Sequence, residues 1–180
     1  PALQDLECLG RVLKPLGYSL AIETNGTIVL PEGVLDWGCV SPKDQEYPKV
    51  AIRQNTGDEL KAVWLGRPEN AGVLAEIALQ GHEYSSEGFV HEYSYMCTRK
   101  EEDESMKKTI AAFEECFGTR PTGYLSPGHC YTDNTLELVG DNGYVWWADP
   151  LNDDIPYTVS AAGRDIVVIP YNIAGLNDNS

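Results

Sequence analysis

The stretch GYLSPGHCYTDNTLELVGDNGYVWWADP, residues 123–150, predicts one strand–helix–strand unit of an α/β fold. Short apolar runs at residues 123–126 and 144–148 are typical of buried strands. Between them, Thr132 can begin a helix that runs to about Asn142. A helix that joins two strands in this way returns the chain to the same edge of the sheet, so the strands are expected to be parallel.

The same alternation continues on both sides of this unit. The clearest helix begins after Thr98, which forms a capping box with Glu101, and ends before Gly118. Further helices are predicted before Gly17 and before Gly81, the second over about residues 73–78. Further strands are predicted at residues 18–23, 35–40, 60–65 and 165–169. The sequence therefore predicts an α/β protein with a mostly parallel sheet and alternating helices.

Composition excludes several classes of function. The chain has 180 residues and a net charge of −15, which argues against nucleic acid as a partner because phosphate binding needs clustered basic residues. No apolar run approaches the roughly 18 residues needed to span a membrane. The five cysteines form no CxxC pair, so a reducing, cytoplasmic location is expected. We expect a small-molecule substrate, and the sequence does not determine the oligomeric state.

Three segments of the first third carry a specific pattern: AIETNGT (21–27), LDWGCVSPK (35–43) and GDELKAVW (57–64). In this order they resemble the 7-carboxy-7-deazaguanine synthase family of radical-SAM enzymes. The resemblance implies that Glu23 contacts a deazapurine substrate and that Ser41 and Lys43 lie near S-adenosylmethionine. In that family a cysteine triad holds an iron–sulfur cluster, and the triad does not occur in this sequence. We therefore expect no cluster from this chain alone, and radical chemistry would need a partner that supplies one.

The remaining two thirds carry a different set of motifs, namely GHEYSSEGFVHEY (81–93), TRPTGY (119–124), SPG (126–128), DPLNDDIPY (149–157) and IVVIPY (166–171). They resemble the polysaccharide deacetylase family of carbohydrate metabolism, and especially its allantoinase-like branch. The resemblance implies a partial or distorted (β/α) barrel that hydrolyses a C–N bond in an amide or a related group.

The resemblance also implies a metal site. Typical members bind a divalent ion through two histidines four residues apart and an earlier aspartate. Here the histidine pair corresponds to Glu87 and His91, which predicts a zinc-type ion at low occupancy. The aspartate motif has no counterpart, and the late histidine of the family has none either, since the last motif ends at Tyr171. Allantoinase-like relatives are expected to work without the usual metal.

Candidate catalytic residues are Asp149, His129 and Glu87. Asp149 follows a strand in the region that lines the active-site mouth in the family, where a carboxylate can orient a water or an imidazole. The alternative for Asp149 is a solvated loop whose aspartates cap turns. Trp147 and Arg120 are candidate substrate contacts, although Arg120 also suits a partner carboxylate.

These patterns predict two segments, residues 1–65 and 66–180, or a single merged domain. The first hypothesis for function is a hydrolase that acts on a C–N bond of a small amide or ureide. This hypothesis includes a degenerate form of the enzyme that has lost activity. A catalytically silent α/β binding module is the second, and a radical-SAM remnant that needs a partner for its cluster is the third.

Overall fold

The computed structural model describes residues 4–42, 51–61 and 78–171. The chain folds into two compact units, Pro1–His82 and Glu83–Ser180. The helix predicted at residues 73–78 falls almost wholly outside the described residues, as does the segment around the predicted boundary at residue 65. That boundary stays a prediction.

The first unit begins with helix α1, Leu6–Leu13, followed directly by a 3₁₀ turn at Lys14–Leu16. The Asp5 carboxylate accepts a hydrogen bond from the Cys8 N–H at 2.8 Å and so caps the start of α1. The helical segment ends at Gly17, whose φ of 88° lies in the left-handed region that glycine adopts without steric cost. The end at Gly17 follows the sequence prediction.

Among the described residues of this unit, three parallel strands form a sheet in the order β1–β2–β3. They are β1 at Ala21–Thr24, β2 at Trp37–Val40 and β3 at Glu59–Leu60. The buried apolar residues Ile22, Cys39 and Val40 lie on β1 and β2, so these two strands supply the core of the sheet.

The second unit contains a five-stranded sheet in the order β4–β5–β6–β8–β7. Its strands are β4 at Ser85–Ser86, β5 at Gly123–Tyr124, β6 at Trp146–Trp147, β7 at Tyr157–Ala161 and β8 at Arg164–Val168. Strands β4, β5, β6 and β8 are parallel, whereas β7 pairs with β8 in the antiparallel direction. The predicted mostly parallel α/β fold is thus confirmed.

In the part of this unit that the structure describes, two helices also contribute to the core: α2 at Arg99–Phe117 and α3 at Thr135–Asp141. The capping box predicted at Thr98 is present, and α2 ends at Gly118 with a left-handed φ of 69°. Buried side chains of both helices pack against buried side chains of the sheet and its edges, forming one cluster of Met106, Ile110, Tyr124, Leu138, Val139, Tyr144, Trp147, Ile166 and Val168. No helix among the described residues is both long and apolar enough to cross a membrane.

Two local features differ from the sequence prediction. Helix α3 begins at Thr135 rather than at Thr132, because the Thr132 hydroxyl accepts a hydrogen bond from the Asn134 N–H outside the helix. The antiparallel strand β7 was not predicted. It is joined to β8 by a tight turn at Ala162 and Gly163, which both have positive φ, and Ala162 gives no sequence signal for such a turn.

The adjacent residues Trp146 and Trp147 lie on opposite faces of the sheet, as the alternation of a strand predicts. Trp147 is buried in the core cluster. The indole of Trp146 instead lies across the backbone of Gly123 on the neighbouring strand, where a Cβ atom would come within 2.1 Å of the ring. Glycine is therefore required at position 123 by this close approach.

Candidate active site

The carboxyl ends of the parallel strands of the second unit bring the candidate residues to one edge of the sheet. Glu87 follows β4, Ser126 follows β5 and Asp149 follows β6. In parallel α/β sheets this edge is the usual place for a ligand, because the connecting loops leave a crevice there.

Asp149 is fully buried and is held by three hydrogen bonds. Its Oδ1 atom accepts bonds from the Ser126 N–H at 2.8 Å and from the Ser126 hydroxyl at 2.6 Å. Its Oδ2 atom accepts a bond from the indole N–H of Trp147. Burial raises the pKa of Asp149 above its usual value, although these donors act in the opposite direction. Asp149 is therefore not part of a solvated loop, in contrast to the exposed Asp153 and Asp154.

His129 lies beside this carboxylate. Its Nδ1 atom is 3.9 Å from Asp149 Oδ1, is buried, and has no hydrogen-bond partner among the described residues. The side chain is 18% exposed, so its exposed part lies on atoms other than Nδ1. The ring packs against Tyr171 with a centroid distance of 4.1 Å.

The backbone at this point is strained. Gly128 and His129 both have positive φ, at 63° and 54°. A left-handed conformation at a residue other than glycine costs on the order of 1 kcal/mol and persists only where surrounding contacts hold it. The loop that carries His129 must therefore be fixed by its neighbours.

Glu87 and His91 form a second pair of site residues. The Nε2 atom of His91 is 3.3 Å from Oε1 of Glu87, and both side chains are exposed. The segment that carries them packs against the His129 loop, because Gly88 lies against Pro127, and Tyr93 lies against Gly128.

A metal ion implied by the family would need more ligands than this pair. A catalytic zinc site has three protein ligands and one open position. Among the residues that the structure describes, no group of three or more His, Cys, Asp or Glu side chains is arranged to hold a metal ion. The described donors thus do not complete such a site.

Two further candidates have different surroundings. Trp147 is buried, donates to Asp149 and packs edge-on against Tyr131, so its indole holds the carboxylate in place. Arg120 precedes β5 at the opposite edge of the sheet and donates to the backbone carbonyl of Asn142 at 2.5 Å. The structure does not bring Arg120 together with the other candidates.

The candidates of the first unit collect at the carboxyl edge of its own sheet. The ammonium of Lys61 lies 3.3 Å from Oε1 of Glu23, near the end of β1. Ser41 follows β2 and is buried, with its N–H donated to the Thr24 carbonyl at 2.8 Å. Lys43 lies outside the described residues.

Sequence reasoning did not assign roles to Ser126, Glu102 or Tyr171. Ser126 could have been found, because it is the last residue of a predicted strand and so lies at the carboxyl edge. The buried Glu102 is part of a helix with many charged residues, and nothing in the sequence distinguishes it from the exposed ones.

A family model for polysaccharide deacetylase matches residues 51–147, which is more than half of the chain. The chain belongs to the polysaccharide deacetylase family. The match includes Glu87, His91, Ser126 and His129, and it ends two residues before Asp149.

Curated relatives match the two parts of the chain separately. A peptidoglycan deacetylase of Helicobacter pylori is 28% identical over 105 residues, which cover 56% of this chain and 36% of that protein. A 7-carboxy-7-deazaguanine synthase of Nitratidesulfovibrio vulgaris is 50% identical over 64 residues, which cover 36% of this chain and 27% of that protein. The chain thus spans only about a quarter to a third of the length of these relatives.

Among solved structures, Puue allantoinase superposes with a TM-score of 0.55 at 27% identity. The superposition covers 63% of this chain and 38% of that chain. The resemblance to the allantoinase-like branch is therefore present in the fold as well as in the sequence motifs, and it relates the parallel sheet to a (β/α) barrel.

Proposed function

We propose that residues 83–180 carry part of the active site of a hydrolase that cleaves a C–N bond in a small amide or ureide. One observation carries this proposal: the buried carboxylate of Asp149 accepts three hydrogen bonds and faces Nδ1 of His129. A carboxylate held in this way beside an imidazole is a recurrent arrangement for moving protons.

The chemistry follows from the two groups. The imidazole of His129 takes a proton from a water molecule as the water oxygen attacks the amide carbon. The same ring then gives the proton to the nitrogen as the C–N bond breaks, so that an amine leaves and a carboxylic acid forms. Asp149 orients the ring through Nδ1 and stabilises its protonated form, and the separation of 3.9 Å must shorten for a direct hydrogen bond to form.

Hydrolysis assays test this proposal. The chain is incubated with acetylated amino sugars and with ureides, and released acetate or ammonia is measured. Removal of the proton-transferring group by His129→Ala is expected to lower kcat by about 10²–10⁴-fold. His82→Ala is the matched control, because His82 lies in the other unit. Hydrolysis that survives His129→Ala would contradict the assignment, and a folded chain without hydrolysis would support the degenerate, silent form.

Glu87 and His91 remain the proposed residues for a divalent ion, and Glu87 also remains a candidate catalytic residue. Two exposed donors 3.3 Å apart support weak binding of zinc at most. Calorimetry with added zinc should then show an upward shift of the unfolding temperature that His91→Ala abolishes. A shift that is equal in both proteins would exclude this pair.

A second proposal concerns the first unit, which would bind a small heterocycle even if the chain is catalytically silent. At the edge of the sheet, the carboxylate of Glu23 can accept hydrogen bonds and the ammonium of Lys61 can donate them. This pair suits a purine-like ring, which carries both donors and acceptors. Isothermal titration with guanine should give binding that Glu23→Gln weakens. The radical-SAM alternative would instead require a cluster-bearing partner to co-purify with the chain.

A further inference from the structure

The loop that carries His129 is fixed at both of its ends. At its beginning, Ser126 donates two hydrogen bonds to the buried Asp149. At its end, the hydroxyl groups of Thr132 and Thr135 both donate to the carboxylate of Glu102. His129 lies between these two anchors.

The second anchor is a buried acidic group that the proposed chemistry does not use. Glu102 lies in the first turn of α2 and is only 2% exposed. Its Oε2 atom accepts the Thr132 hydroxyl at 2.9 Å, and its Oε1 atom accepts the Thr135 hydroxyl. A buried carboxylate is costly unless donors satisfy it, so these contacts are the reason that it can lie here. The carboxyl group of Glu102 is therefore bound to the loop rather than to solvent.

The anchor is also connected to the carboxylate of the site. Tyr131, the residue before Thr132, packs edge-on against Trp147 with a centroid distance of 5.3 Å. Trp147 in turn donates its indole N–H to Asp149. Release of Thr132 would free Tyr131 and the strained, left-handed backbone at His129 to move away from Asp149.

We propose that Glu102 is a positioning residue, which holds the loop of residues 126–135 so that His129 stays beside Asp149. That Glu102 contributes to catalysis rests on the proposed function, but that Glu102 fixes the position of the His129 ring does not. The role can therefore be tested without a substrate, and a negative hydrolysis assay would refute the proposed function alone.

The test is the nitrogen NMR spectrum of the histidine rings in the full chain with labelled histidine. The chain has three histidines, and the His129 signal is assigned by its loss in His129→Asn. Glu102→Ala is expected to shift or broaden the His129 ring signals while the His82 signals stay in place. Glu102→Gln keeps the shape and one acceptor oxygen, so its effect should be smaller.

Glu104→Gln is the matched control, because it removes the same charge from a half-exposed position of the same helix. If Glu102 only stabilises the fold, Glu102→Ala will unfold at a lower temperature but will show unchanged His129 ring signals in its folded state. That result would overturn the proposal. If Glu102→Ala does not fold, Thr132→Val removes one hydroxyl from the anchor at nearly constant shape. Unchanged His129 signals in that variant would overturn the proposal equally.

Discussion

The close approach of Trp146 to Gly123 predicts that Gly123→Ala destabilises the second unit. An alanine Cβ would lie 2.1 Å from Cζ2 and 2.2 Å from Cε2 of the indole, so the ring must move. Overpacking of this kind costs about 1–3 kcal/mol. Movement of the ring would also break the 3.0 Å hydrogen bond from the indole N–H to Glu83. Such a bond contributes about 1 kcal/mol to stability.

The expected loss is therefore about 2–4 kcal/mol in the free energy of unfolding. The sign of this change in unfolding free energy distinguishes the two effects, because alanine in place of glycine normally stabilises a strand by about 0.5–1 kcal/mol. For a unit of this size, each kcal/mol corresponds to about 4–8 °C in the unfolding temperature, which calorimetry of the full chain resolves.

A double-mutant cycle isolates the cause. In a Trp146→Ala background the steric conflict is gone, so Gly123→Ala should cost little or even stabilise the chain. Equal destabilisation by Gly123→Ala in both backgrounds would refute the steric argument, and so would a single variant as stable as the wild type.

Three further outcomes are expected from unfolding measurements. Thr98→Ala removes the N-cap of α2 and should cost about 1 kcal/mol, whereas an unchanged stability would mean that the cap contributes nothing. Tyr144→Phe should cost about 1 kcal/mol of unfolding free energy at neutral pH, because it removes the hydrogen bond to Ser86. Burial raises the pKa of Tyr144 to about 12, so the wild type should lose the stabilising contribution of Tyr144 as the pH rises from 10 through 12. The Phe variant should not show this loss. Burial raises the pKa of Asp149, so the contribution of this group to stability is present below pH 3.8 and is lost as the pH rises through its higher pKa in the folded protein. The unfolding free energy of Asp149→Asn relative to the wild type should therefore increase with pH. A relative decrease with pH would contradict the raised pKa.

Much of the architecture was predictable because its signals are local. The capping box at Thr98 and Glu101 and the glycine at position 118 fixed both ends of α2, since each acts on hydrogen bonds within a few residues of itself. The antiparallel strand β7 was missed, because its pairing with β8 depends on a turn at Ala162, a residue that rarely adopts positive φ.

The candidate site shows the same division. The sequence by itself determined that Asp149 follows a strand of a parallel sheet. The motifs that resemble the polysaccharide deacetylase family then selected Asp149 and His129 as candidates. Only the tertiary structure decided that Asp149 is buried with Ser126 as its donor, that Arg120 lies at the opposite edge, and that Glu102 holds the loop. Burial and partnership depend on residues 20–40 positions apart in the chain, and the packing of α2 and α3 against the sheet, rather than any local pattern, brings them together.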